Sequence, residues 1–202
     1  MVKITCLGVL LLLAIAVNSQ SQERESIYPE IGKRCPNFIL NDVNYYSKKS
    51  VKLEDFQGKW LILDCWNRYC GACIESMPRT DSLEEKFSKE IQFILVGFNG
   101  TQYTRNSDKS EIRKLYERIR EKSNLHLPIA YDSILFRRFD IGGCPFIIIV
   151  DPNGILRGIT YKITEENIKD YLAGKQPDLP RITTLGEELE NELIKRPQKK
   201  SD

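Results

Sequence analysis

Two cysteines separated by two small residues, Cys70 and Cys73, stand between an apolar run and a stretch with helical periodicity. The apolar run Trp60–Trp66 is short and has no helix-capping residues, so we predict a buried β-strand there. Over residues 71–89 apolar side chains recur at helical spacing, and Pro78 inside this stretch predicts a kink. A cysteine at the start of a helix meets unpaired backbone N–H groups, which stabilise a thiolate. The pattern therefore predicts a strand–dithiol–helix unit.

The rest of the chain supplies the other parts of a sheet and its helices. The expected strands cover 38–40, 50–53, 91–98, 144–151 and 155–161, with turns at 41–44 and 152–154 and an extended segment at 125–131; the expected helices cover 109–122, 133–139 and 164–173. Pro145 stands at the start of its apolar run, where a proline is tolerated and a cis peptide bond would bring backbone beside the dithiol. The order predicts an α/β fold: a central mixed β-sheet flanked by helices, with an N-terminal β-hairpin extension.

The two ends of the chain differ from this middle part. Lys3 precedes an uncharged apolar run at 7–17, which is long enough for a signal peptide and too short to span a bilayer. An N-terminal anchor that is never cleaved is the alternative. We divide the chain into a signal peptide at 1–20, a linker at 21–31, a globular domain at 32–174 and a polar C-terminal tail at 175–202 with a short helix at 185–194. The folded part is therefore expected outside the cytoplasm, in a periplasm or secreted.

Charge and cysteine content narrow the function classes. The 30 basic and 28 acidic side chains nearly cancel, which gives no charge-driven affinity for nucleic acid or an acidic membrane surface. Of the six cysteines, Cys6 would leave with the signal peptide, and the odd number that remains favours redox use over a purely structural set of disulfides. Half of a zinc site is the alternative for the C-x-x-C pair, but such a site needs further ligands, and His126 is the only histidine.

Five segments together resemble the thioredoxin superfamily and, within it, the TlpA/ResA-like thiol-disulfide oxidoreductases of bacterial envelopes. They are GKRCPNF at 32–38, LEDFQGKW at 53–60, DCWNRYCGAC at 64–73, the proline-kinked helix with MP at 77–78, and GGCP at 142–145 followed by the hairpin turn at 147–154. The resemblance covers residues 32–173. It departs from the family at Tyr69, Ala72 and Ser76, where tryptophan, proline and glutamate are usual.

The resemblance implies a role for each residue of the site. Cys70 would be the attacking thiol and Cys73 the resolving thiol, so that the pair forms the redox disulfide. Pro145 would be the cis-proline that shapes the substrate groove. Asp64, at the position of thioredoxin's buried aspartate, would take a proton from the resolving thiol, because burial raises the pKa of a carboxyl group. An aspartate bonded to backbone at the end of the strand is the alternative.

Three further side chains are expected near this centre, and two other cysteines are not. We expect Cys144, Trp66 and Tyr69 at the substrate-binding surface, with Trp66 also serving as a packing residue. If Pro145 is cis, Cys144 would lie beside the dithiol, where it forms an alternative bridge, acts as a regulatory thiol or only offers its backbone to substrate. Cys65 is expected to pack as a small apolar side chain, and the sequence identifies no partner for Cys35.

The sequence therefore predicts an enzyme, a thiol-disulfide oxidoreductase that exchanges disulfides with protein substrates. We expect no cofactor and no metal. The expected partners are protein thiols or disulfides and an upstream redox protein, with the membrane reached only through an uncleaved anchor, and a monomer is expected. Two alternatives stay open: a peroxiredoxin-like thiol peroxidase, for which a Thr/Pro-rich peroxidatic loop is absent, and a non-enzymatic Cu(I)-carrying redoxin, for which His126 is poorly placed.

Overall fold

The computed structural model describes residues 29–100 and 109–182. Its strands are β1 (Ile39–Leu40), β2 (Val43–Asn44), β3 (Val51–Lys52), β4 (Trp60–Trp66), β5 (Ile91–Phe98), β6 (Ile129–Asp132), β7 (Phe146–Val150) and β8 (Leu156–Thr160). Its α-helices are α1 (Gly71–Phe87), α2 (Lys109–Ser123), α3 (Ile134–Arg138) and α4 (Glu165–Leu172), and a 3₁₀ turn covers Leu53–Phe56.

The predicted chain ends fall largely outside the described residues. The signal peptide, most of the linker and the helix at 185–194 all lie there. Within the described part, no helix has the length and apolar character needed to cross a membrane. The division into segments at the two ends therefore stays a prediction.

One six-stranded sheet forms the centre of the molecule, in the order β2-β6-β5-β4-β7-β8. Strand β4 runs parallel to β5 and antiparallel to β7, and β5 runs parallel to β6. The sheet is therefore mixed, as predicted. Because β4 is an inner strand of the sheet, the dithiol that follows it lies at the C-terminal end of a central strand and not beside an edge strand.

The N-terminal hairpin also forms as predicted, from β1 and β3. Its connection differs from the prediction, because part of the expected turn at 41–44 is strand β2. Val43 pairs with Ala130 and is fully buried, so this short segment closes one edge of the main sheet. The extended segment predicted at 125–131 supplies the other side of this pairing, as strand β6.

Alternate residues of β4 point to opposite faces of the sheet, as the two-residue period of a strand requires. Ile62 and Trp66 join a core cluster with residues of α1, α2 and α4. Leu63 and Cys65 join a second cluster with the hairpin and α3. The buried residues of α1 repeat along the helix face that lies on the sheet: Cys73, Met77, Thr80, Leu83 and Phe87. Helix α1 thereby carries one cysteine of the dithiol inward and leaves its other side to solvent.

Candidate active site

Cys70 and Cys73 form a disulfide with their Cα atoms 5.3 Å apart. Cys70 is the residue that caps the N-terminus of α1, and the backbone N–H of Cys73 donates to its Sγ at 3.2 Å. Such a donor at the positive end of a 17-residue helix stabilises negative charge on that sulfur. Cys70 is 8% exposed and Cys73 2% exposed, so Cys70 is the sulfur that a partner can reach more readily.

An open groove of about 400 Å³ lies beside this disulfide. It is lined by Ala72, Glu75, Ser76, Arg79, Pro145, Tyr161 and Lys162. The Cys144–Pro145 peptide bond is cis, and Pro145 faces the groove opposite the first turns of α1. The groove combines an exposed aromatic side chain with two cations and one carboxylate, which is a surface suited to an extended peptide.

Asp64 is buried in β4, opposite Leu95 of β5 and Ile147 of β7. The hydroxyl of Thr80, on α1, donates to Asp64 Oδ2 at 3.4 Å. Burial raises the pKa of Asp64 to about 7, because it removes water from the carboxylate, and the opposing effects of Thr80 and the Arg79 guanidinium are smaller. Asp64 can therefore accept or release a proton near neutral pH.

Asn67 is a site residue that the sequence analysis did not identify. Its carbonyl oxygen accepts the N–H of Cys70 at 3.1 Å, and its Oδ1 accepts the N–H of Tyr69 at 2.9 Å. Cys65, two residues before Asn67, pairs with Phe146, two residues after Cys144, so the antiparallel register of β4 and β7 brings Cys144 alongside Asn67. The position of Asn67, directly after a buried strand and directly before the dithiol loop, is the only sequence feature that could have indicated this role.

The three remaining cysteines of the described residues are free. Cys65 is fully buried, and burial raises its pKa well above the ordinary value for a thiol. Cys35 is also fully buried, and desolvation raises its pKa to about 12. Cysteines in such apolar surroundings are unreactive. Cys144 differs from both because it is partly exposed and lies next to Pro145.

The two predicted aromatic site residues lie in opposite environments. Tyr69 is 59% exposed beside the dithiol, with the guanidinium of Arg68 at 4.6 Å from its ring centroid. Trp66 is fully buried and packs on Tyr116, with ring centroids 6.3 Å apart. The expectation that Trp66 contacts a substrate is therefore wrong, because alternation along β4 turns its indole into the core; only its packing role remains.

His126 contacts Asp81 and does not line the groove. Asp81 Oδ1 also accepts the backbone N–H groups of His126 and Leu127, at 2.7 and 2.9 Å. Across residues 29–100 and 109–182, no group of three or more His, Cys, Asp or Glu side chains is arranged to hold a metal ion.

Comparison with known proteins places this site in a family. The AhpC/TSA family model matches residues 31–159. Among curated proteins, the thiol-disulfide oxidoreductase ResA of Bacillus subtilis (strain 168) is 25% identical over 174 residues, which cover 82% of this chain and 88% of that protein. ResA of Geobacillus thermodenitrificans (strain NG80-2) is 27% identical over 150 residues, which cover 73% of this chain and 79% of that protein.

Solved structures give the same fold. The pneumococcal exposed lipoprotein thioredoxin Etrx1 of Streptococcus pneumoniae superposes with a TM-score of 0.56 at 21% identity, covering 69% of this chain and 99% of that one. StoA of Bacillus subtilis superposes with a TM-score of 0.52 at 17% identity, covering 68% and 96%. The fold is thioredoxin-like, and the disulfide at the start of α1 stands in an enzyme of the thiol-disulfide oxidoreductase class. The chain belongs to the AhpC/TSA family.

Proposed function

We propose that this protein exchanges disulfides with protein substrates outside the cytoplasm, through Cys70 and Cys73. The observation that carries the proposal is the Cys70–Cys73 disulfide at the N-terminus of α1, with the more exposed sulfur at the capping position. The predicted signal peptide supports an extracytoplasmic location, in a periplasm or secreted. An upstream redox protein would return the dithiol to its working state.

The reaction begins when the Cys70 thiolate attacks a disulfide of the substrate. A bond forms between Cys70 Sγ and one substrate sulfur, and the other substrate sulfur leaves as a thiolate that takes up a proton. Cys73 then attacks Cys70 Sγ, which restores the Cys70–Cys73 disulfide and releases the second substrate thiol. The substrate is reduced by two electrons and the dithiol is oxidised by two; the reverse sequence oxidises a substrate.

Asp64 is the proposed proton acceptor for the resolving step. Cys73 is nearly inaccessible to water, so its proton needs an acceptor inside the protein. Cys73 and Thr80 lie on the same buried face of α1, and Thr80 bonds the Asp64 carboxylate, which places this carboxylate beneath the helix. An acid with a pKa of about 7 is matched to proton transfer at neutral pH.

The groove is the proposed substrate site. Pro145 and Tyr161 offer apolar surface to a peptide backbone, and Arg79 and Lys162 favour a substrate with acidic side chains near its disulfide. Tyr69 is exposed beside Cys70, and its ring would contact a substrate bound at that sulfur. The backbone of Cys144 precedes Pro145 and would face the same peptide.

The test is reduction of insulin disulfides by the full chain in the presence of dithiothreitol. Cys70→Ser should abolish the protein-dependent rate, whereas Cys35→Ala, a matched control at a fully buried cysteine that does not line the groove, should retain it. Full activity of the Cys70→Ser variant would refute the proposal. Consumption of hydrogen peroxide faster than insulin reduction would favour a thiol peroxidase, and copper that copurifies with the reduced protein would favour a Cu(I) carrier.

Equilibration of the purified protein with a glutathione series would measure its reduction potential. A value near that of thioredoxin, about −270 mV, would assign it to substrate reduction. A value near that of the strong oxidant DsbA, about −120 mV, would assign it to disulfide formation.

A further inference from the structure

We propose that Cys144 is a second resolving thiol, which competes with Cys73 for the mixed disulfide on Cys70 and forms a Cys70–Cys144 disulfide. The inference rests on the proposed function, since it needs a substrate sulfur bound to Cys70. It gives a chemical role to a cysteine that exchange through Cys70 and Cys73 alone leaves unused.

Asn67 connects β4 to the loop that carries Cys70. Its carbonyl oxygen accepts the Cys70 N–H and its Oδ1 accepts the Tyr69 N–H, so two bonds fix it to the dithiol loop. Strand pairing brings Cys144 to this loop, because Cys65, two residues before Asn67, pairs with Phe146, two residues after Cys144. The pairing of β4 with β7 therefore holds the Cys144 backbone next to the loop that carries Cys70.

The packing of Cys144 is a second observation that places it near the dithiol. Cys144 packs where the two core clusters meet, and one of these clusters contains Cys70 and Cys73. The residue that follows, Pro145, lines the groove together with Ala72, which lies between the two cysteines of the motif. Cys144 therefore lies next to a residue that lines the groove and packs against the cluster that contains the disulfide.

The other two free cysteines do not meet these conditions. Cys65 points to the face of the sheet that carries the hairpin, away from α1, and it is fully buried. Cys35 belongs to that same hairpin cluster. Cys144 is the one free thiol of the described residues that is both partly exposed and packed against the cluster of the dithiol.

Cys144 also has a proton acceptor nearby. Burial raises the pKa of the Cys144 thiol to about 12, and the negative charge of the Asp64 carboxylate adds to the rise. At neutral pH the thiol therefore holds its proton until Asp64 accepts it. Asp64 would thus accept a proton from Cys144, as it is proposed to do for Cys73.

The proposed step balances without an external oxidant. Cys144 gives its proton to Asp64 and attacks Cys70 Sγ of the mixed disulfide, so that the Cys70–Cys144 bond forms and the bond from Cys70 to the substrate sulfur breaks. The substrate thiolate leaves and takes up a proton. Cys73 can afterwards attack Cys70 Sγ, which frees Cys144 and restores the Cys70–Cys73 disulfide.

The experiment isolates Cys144 by removing its competitor. The reduced full chain carrying Cys73→Ser is treated with oxidised glutathione, the adduct on Cys70 is verified by peptide mapping, and its decay is followed by intact mass spectrometry. We expect glutathione to leave and a Cys70–Cys144 disulfide to appear in non-reducing peptide maps. In Cys73→Ser/Cys144→Ser the adduct should persist at least tenfold longer, whereas the matched control Cys73→Ser/Cys65→Ser should decay like the single variant.

Each outcome decides a different claim. Equal persistence of the adduct with and without Cys144 would overturn the inference and leave the proposed function standing. If glutathione never attaches to Cys70, the proposed function fails instead. Should Cys144→Ser not fold, the peptide map of Cys73→Ser alone decides, because absence of the Cys70–Cys144 disulfide after the adduct has decayed would refute the second resolving thiol.

Discussion

Asp64→Asn should stabilise the folded protein more as the pH rises. The folded-state pKa of about 7 lies above the value of 3.8 for an aspartate in water. Between these two values the folded protein still holds the proton, whereas the unfolded chain has already released it. By proton linkage, the wild-type free energy of unfolding therefore falls as pH rises through this window. Asparagine does not titrate, so the free energy of unfolding of the variant lacks this fall with pH.

The size of the effect follows from the two pKa values. They differ by about three, and each pKa unit corresponds to about 1.4 kcal/mol, so the full linkage amounts to about 4 kcal/mol at pH 8 and to less than about 1 kcal/mol at pH 4. This is a large fraction of an ordinary domain stability of about 5–15 kcal/mol. The new amide adds a constant cost for its buried N–H groups, of about 1–3 kcal/mol, which does not depend on pH.

The assay is denaturant unfolding of the oxidised protein at pH 4, 6 and 8, for the wild type and the variant. The quantity to compare is the change of the stability difference between pH 4 and pH 8, because this removes the constant cost of the amide. Asp55→Asn is the control: hydrogen bonds from Lys48 and Lys52 lower the pKa of Asp55, so the stability that its carboxylate contributes is lost only below about pH 4, and its stability difference should change little between pH 4 and pH 8. A stability difference for Asp64→Asn that does not vary with pH would refute a raised pKa at this position.

Two further predictions concern the stability of the fold around the site. Asp151 Oδ1 accepts the N–H groups of Asn153 and Ile155, both at 2.9 Å, and its Oδ2 accepts the Nε–H of Arg157 at 2.7 Å. Because Asp151→Ala removes all three bonds, it should lower the free energy of urea unfolding by about 2–4 kcal/mol. An equal loss in Arg157→Ala would show that the two bonds to the backbone contribute nothing. A Cβ at Gly97 would lie 3.1 Å from Ile112 and from Tyr131, so Gly97→Ala should lower the free energy of unfolding by about 1–3 kcal/mol through overpacking. Gly143→Ala is the control, because a Cβ there would meet open space. Equal melting temperatures of the two variants would contradict the prediction.

Local patterns were sufficient for the longer elements of the fold. Trp60–Trp66 and Ile91–Phe98 are continuous apolar runs, and such runs need no distant information to be assigned as central strands. Strand β2 was missed for the opposite reason. Two residues have no periodicity, and Val43 becomes a strand only because Ala130, far along the chain, pairs with it.

The residues of the site also fall into those that the sequence could predict and those that it could not. Cys70, Cys73 and Asp64 belong to one short segment whose motif could be recognised, and Pro145 was indicated by its place before an apolar run. Thr80 as the partner of Asp64, and Tyr161 as a wall of the groove, depend on how α1 and β8 pack against the central strands. No feature of these two residues in the sequence distinguishes them from ordinary polar or aromatic positions.

The period of strand β4 decides which sulfur can join the redox centre. Trp66 points toward α1, which turned a residue expected at the substrate surface into a core residue. The same alternation turns Cys65 to the opposite face, although only four residues separate it from the dithiol loop's first cysteine, Cys70. Cys144, more than seventy residues away in the chain, packs against the cluster that contains Cys70 and Cys73, because β7 pairs with β4 and brings the loop before β7 alongside the end of β4. Distance along the sequence is therefore a poor guide to which thiols react together, and strand register is a better one.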